Sequence, residues 1–163
     1  MPQDRNTGAE ANAFGKRMAL IVANDIGAQK CHSKGNEFSW QGKQITIRSA
    51  HRGNSYVGAL YSMLDRVDAV LAALETTVRD QFQVWEIDTQ SFLAHSKPQA
   101  KNPDIAQVPT KVFSQDGKLI TKVRDKTLLS NHALEATGYP EGTPRLSADV
   151  RRGRHRRMRW QLG

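Results

Sequence analysis

Residues 37–48, Glu37-Phe38-Ser39-Trp40-Gln41-Gly42-Lys43-Gln44-Ile45-Thr46-Ile47-Arg48, alternate in the way that marks a pair of strands. Phe38 and Trp40 share one face of the first strand. Ile45 and Ile47 share the inward face of the second, and Thr46 and Arg48 point the other way. Gln41-Gly42-Lys43 supplies the turn. An antiparallel hairpin near the start of a chain that goes on to mix helices with strands points to a mixed sheet.

Upstream of the hairpin, residues 9–26 place Phe14, Met18, Ile21, Val22 and Ile26 on one face of a 3.6-residue period. Gly27 is positioned to end that helix. Residues 1–8 are polar and are expected to be disordered. Downstream, His51 to Ser55 is a glycine-bearing loop. Residues 56–76 carry Val57, Leu60, Leu64, Val67, Leu71 and Leu74 at alternating steps of three and four, which predicts a long helix facing a core. The stripe spans fewer than three heptads, too short for a coiled-coil seam. Residues 82–87 read as a strand, and 89–95 as a short helix with Thr89 as a cap. Residues 96–110, with Pro98, Pro103 and Pro109, read as a surface loop. Residues 111–123 read as a second hairpin turning at Asp116-Gly117. Residues 126–136 suggest a further short helix. The fold class expected is mixed α/β (α+β): helix, hairpin, long helix, strand, short helix and second hairpin around a mixed sheet. A single domain over residues 9–137 would then lead through a Pro/Gly linker into a C-terminal tail over 138–163.

A chain of 163 residues suits one domain with a real core. Apolar residues make up 38% of it, low for a globular protein, which leaves part of the chain outside that core. No stretch approaches the roughly 20 apolar residues of a membrane span, and the first residues lack a signal-peptide core. The single cysteine, Cys31, excludes an internal disulfide and makes a reducing cytoplasm the expected compartment. The net charge of +8 is unevenly placed. Residues 145–163 hold seven arginines and one acid, Asp149, whereas the remaining 144 residues hold 17 basic and 15 acidic side chains.

The helix–hairpin–helix–strand order resembles the core of the PD-(D/E)XK nuclease superfamily over residues 9–96. The resemblance implies an acid on one strand and an acid and a lysine, spaced i and i+2, on the next. Two such carboxylates hold a divalent metal that activates water, and the lysine orients the nucleophile. In this chain Gln44-Ile45-Thr46-Ile47-Arg48-Ser49-Ala50 is the matching strand. Thr46 stands in the place of the second acid and Arg48 in the place of the lysine. Glu37, nine residues before Thr46, is the candidate first acid. Threonine is a weak metal ligand and arginine does not accept a proton, so the motif is degenerate. The central region is also similar to a group of uncharacterised bacterial proteins with this core. That match rests on Gly42-Lys43, Ile47-Arg48, Ala50, Val57-Gly58, Met63-Leu64, Arg66, Asp68-Ala69-Val70 and Ala72.

Glu86 and Asp88, at i and i+2, are reserve carboxylates, with Glu37 and Glu86 as metal ligands if the protein is active. Asp65 and Asp68 read as a solvated helix face. Cys31-His32 and the scattered His51, His95, His132 and His155 form no zinc pattern. Arg151, Arg152, Arg154, Arg156, Arg157 and Arg159 fall within nine residues, followed by Trp160. Arginine pairs bidentately with phosphate, and an indole stacks on an unpaired base.

The expectation is therefore a bacterial or phage nucleic-acid-binding protein, with DNA favoured over RNA. Arg48 and the arginine-rich tail would make the contacts, on a nuclease-like core lacking a complete acid pair and needing no cofactor. The alternatives are a Mg2+-dependent restriction-type endonuclease using Glu37 with Glu86 or Asp88, and a protein-interaction subunit whose tail meets an acidic partner. No membrane association is expected, and a homodimer stays open.

Overall fold

The computed structural model describes residues 5–31 and 35–127. The first helix, α1 (Arg5–Ile26), starts four residues ahead of the expected boundary, so residues 5–8 are helical rather than a disordered lead. Phe14, Met18, Ala19, Val22 and Ala23 form its buried stripe. Gly27, at φ 74°, takes the left-handed conformation that closes the helix. The amide of Ala28 then reaches back to the Ala23 carbonyl at 2.8 Å.

A two-residue strand β1 (Gln29–Lys30) leads into the hairpin β2 (Glu37–Trp40) and β3 (Lys43–Ala50). Gln41 and Gly42 both have positive φ, as a two-residue primed turn requires. Trp40 faces Lys43 and Glu37 faces Thr46 across the ladder.

The long helix expected over residues 56–76 is not formed. That segment is a strand β4 (Tyr56–Leu60), one helical turn α2 (Tyr61–Leu64), and a strand β5 (Ala69–Glu75). The chain leaves β3, crosses one face of the sheet through β4 and α2, and returns as β5, parallel to β3. Strand β6 (Gln81–Asp88) and helix α3 (Thr89–His95) follow as expected, except that the cap of α3 is Asp88, and Thr89 is its first residue. The proline-bearing loop contains β7 (Lys97–Pro98) and β8 (Ile105–Pro109). The second hairpin is instead a helix α4 (Thr110–Asp116) and a strand β9 (Lys118–Arg124). The helix expected over residues 126–136 lies outside the described residues apart from Lys126 and Thr127, and so does the linker and tail over 138–163.

The architecture is mixed α+β. A six-stranded mixed sheet runs β1-β2-β3-β5-β6-β9, and a second sheet runs β4-β8-β7. Two apolar clusters cover the two faces of the larger sheet. On one, α1 packs Met18 and Val22 over Phe38, Ile45, Ile47, Leu71, Phe82 and Val84. On the other, the small sheet and α2, α3 and α4 bury Val57, Leu64, Val70, Phe92, Val108 and Phe113. Strand β5 is central and buried on both sides, so its Ala69–Leu74 run is apolar throughout. Among the described residues, no helix is long and apolar enough to cross a membrane.

Candidate functional site

Strand register places three of the sequence-selected residues together. Glu37 is the direct cross-strand partner of Thr46, and Arg48 follows two residues along β3. All three project to the face covered by β4, because their neighbours Ile45 and Ile47 belong to the core beneath α1.

Each has a distinct environment. Glu37 is buried, and its Oε1 accepts a hydrogen bond from Arg66 Nη2 at 2.6 Å. That bond, with the carboxylate's charge, raises the Arg66 pKa above the ordinary arginine value. Thr46 is fully buried, and its Oγ1 meets no hydrogen-bonding partner among the described residues. Arg48 is half-buried and donates from Nε to the Gly58 carbonyl of β4 at 2.7 Å. Among the described residues no carboxylate lies within ion-pairing distance of its guanidinium. Burial therefore pulls its pKa down with no opposing anion, although a guanidinium so placed keeps its proton.

The reserve carboxylates do not join this group. Glu86 is the register partner of Leu71, on the α1 face, and pairs with Lys43 Nζ at 2.5 Å. It stands across the sheet from Glu37. Asp88 caps α3: its two oxygens accept from the Ser91 amide at 2.8 Å and the Ser91 hydroxyl at 2.7 Å. Those bonds hold its pKa below the ordinary value. Pairing Glu37 with Glu86 or Asp88 as metal ligands is thus a geometry this fold does not provide. The described residues contain no group of three acidic, histidine or cysteine side chains arranged to hold a metal ion. Asp68, expected on a helix, accepts from the Gln44 amide at 2.8 Å and joins the start of β3 to that of β5.

Strand β2 pairs with β3 only as far as Thr46, and the Ile47 amide makes the last link, to the Asn36 carbonyl. Beyond it no strand among the described residues pairs with that edge of β3. The gap between this edge, α1 and β4 is a hollow of about 290 Å3, walled by Arg48 with Asn12, Asn36, Ser49, His51 and Asn54. His51 is fixed there by long-range contacts. Its ring stacks on Phe14 at 3.8 Å between centroids, and its Nδ1 lies 3.1 Å from Glu75 Oε2.

Sequence reasoning missed Asn36, which precedes the hairpin and belongs to no expected element, and His51 and Asn54, which lie in a segment read as a loop. The signal that was present is the polar, glycine-containing run His51-Arg52-Gly53-Asn54 directly after the strand that carries Arg48. Arg151, Arg152, Arg154, Arg156, Arg157, Arg159 and Trp160 lie outside the described residues. No protein-family model matches the chain, and the search of curated proteins found no match either.

Proposed function

We propose that this chain is a nucleic-acid-binding protein of the cytoplasm whose nuclease-like core holds phosphate without cleaving it. The observation that carries the reading is Arg48: a half-buried cation, tied to one backbone carbonyl, with no paired carboxylate among the described residues and a polar hollow in front of it. A permanently charged, forked donor in such a setting suits a phosphate oxygen. The same positions suit a divalent cation poorly. They offer one carboxylate, already engaged by Arg66, a neutral hydroxyl and a positive charge, where Mg2+ wants hard anionic oxygens. No metal-dependent step is therefore assigned to them. The arginine-rich run over residues 151–159 would add affinity that is independent of sequence.

The test is binding and cleavage measured on one preparation. The full chain is expected to bind labelled DNA. Arg48→Met, which keeps the side chain's length and removes its charge, is expected to weaken that binding roughly 10-fold. Plasmid and single-stranded DNA incubated in Mg2+ and in Mn2+ are expected to stay intact. Robust cleavage that disappears in Glu37→Ala would replace this reading with an endonuclease.

A further inference from the structure

The hollow in front of Arg48 is one of four that meet around the His51–Asn54 turn. His51 walls the first three, Arg52 the second and third, and Asn54 the first, second and fourth, so the second hollow shares a wall with each of the others and joins the third to the fourth, which have none in common. Their volumes are about 290, 320, 340 and 400 Å3. Together they bring Arg48 and Arg52, from β3 and the turn after it, onto one surface with Arg79 and Lys111 from two distant parts of the chain. Arg52, Arg79 and Lys111 are exposed.

Two carboxylates share these walls, and both are recessed. Glu75, only 10% exposed, accepts the Arg52 and Asp80 amides and lies against His51. Asp80 is 16% exposed and sits 3.9 Å from the Arg79 guanidinium, whose side chain is 80% exposed. The outward face is therefore cationic over a recessed acidic floor. Tyr56 stands at the end of this surface, a wall of the fourth hollow, with 54% of its area exposed although it begins a strand.

We propose that these four hollows form one track for a single strand of nucleic acid, with phosphates on Arg48, Arg52, Arg79 and Lys111 and a base stacked on Tyr56. The inference rests on the nucleic-acid reading above and adds which nucleic acid the body takes and where. A single strand can bend from notch to notch around a turn, whereas a duplex is stiff and presents a convex backbone. An exposed aromatic ring at the end of a cationic path contributes only when a base is free to leave its stack.

The experiment uses the full chain and a labelled 20-nucleotide single strand beside its duplex, with affinity followed by fluorescence anisotropy over a salt series. Arg52→Glu, Arg79→Glu and Lys111→Glu are combined in one variant. A charge-matched control carries Lys30→Glu, Lys97→Glu and Lys101→Glu, exposed positions that wall none of the four hollows. Relative to the control, the track variant is expected to lose at least 10-fold in affinity, and its log–log salt slope to fall by about 2, at ~0.7 per phosphate for single strands. Tyr56→Ala is expected to weaken single-strand binding about 10-fold and to leave duplex binding unchanged. Circular dichroism melts check folding, and glutamine replacements at the same three positions serve if the glutamates unfold the chain.

Failure of the native chain to bind either nucleic acid would overturn the functional reading itself. Native binding with equal loss in track and control variants would overturn the track alone and leave that reading standing. Tighter duplex binding that ignores Tyr56→Ala would overturn the single strand. Competition by polyglutamate as effective as that by the oligonucleotide would make the surface a general polyanion site and also defeat the proposal.

Discussion

Glu75 shows how one side chain sets the shape of the candidate surface. It sits at the end of β5 and accepts hydrogen bonds from the amides of Arg52 and Asp80 at 2.9 and 3.0 Å, tying the 51–54 turn to the turn before β6. Burial opposes its ionisation, but the two amides and the His51 ring outweigh burial and hold its pKa below the ordinary glutamate value. The sign follows directly. A carboxyl whose folded pKa is depressed contributes stability above its unfolded pKa of about 4.3 and loses it as the pH falls through the folded value. Glu75→Gln is therefore expected to lower stability at neutral pH and to flatten the decline on the acid side. Urea midpoints measured from about pH 7 down to about pH 3 check this. An acid limb as steep in the variant as in the native chain would show that Glu75 is not its source. The candidate site was half legible at this scale. Period-two alternation put Thr46 and Arg48 on one face, because that rule is local. It could not reveal that Arg66 would occupy Glu37, that Glu86 would face the other way, or that Phe14 would hold His51, since each depends on strand order and long-range packing.

At the scale of elements, α2 is four residues long and holds its place through burial. It buries Met63 and Leu64, the latter 2% exposed, against Val57, Val67 and Phe92 on the small-sheet side of the core. A helix of one turn has almost no intrinsic stability, so its position depends on those side chains. Leu64→Ala is expected to cost about 2–5 kcal/mol, read as a drop in denaturation midpoint at unchanged m-value. No loss would mean that α2 is not anchored to the core through Leu64. The hairpin β2–β3, helix α1, strand β6 and helix α3 were legible because polar and apolar residues in each recur at its own period, even where, as in β2 and β3, packing then covers the polar face. Residues 56–76 were not. Val57 and Ala59 face inward from β4, Leu64 and Val67 from the crossover, and β5 is apolar on both sides. A strand buried on both faces has no alternation, and its apolar run matched the helical spacing by coincidence. Asp116-Gly117 failed differently. The glycine matters, but at a crowded junction rather than a hairpin turn: a Cβ there would stand 2.3 Å from the Phe113 carbonyl and 2.9 Å from that of Glu86. Strand β8 does alternate, with Ala106 and Val108 inward, and Pro109 at its end disguised it as loop.

The charge of the whole molecule divides between two cationic regions that should act differently. The body offers few, fixed cations around a structured turn, whereas the segment over residues 151–159 offers six arginines in nine residues. Affinity from counterion release depends on the number of phosphates neutralised, while discrimination between strand types depends on shape and stacking. The segment should therefore dominate affinity and the body should set preference. Deleting residues 151–163 is expected to weaken binding to single-stranded and duplex DNA alike. It should reduce the salt slope by up to about 4 for a single strand, at ~0.7 per phosphate contact. The residual binding of the truncated chain should favour the single strand more strongly than the full chain does, because the non-selective contribution has gone and the track beside Tyr56 remains. Anisotropy titrations of both chains against both strand types measure the two quantities together. A truncated chain that binds as tightly with the same slope would remove the arginine run from the interface. One that loses affinity but gains no preference would mean that the body contributes charge without shape.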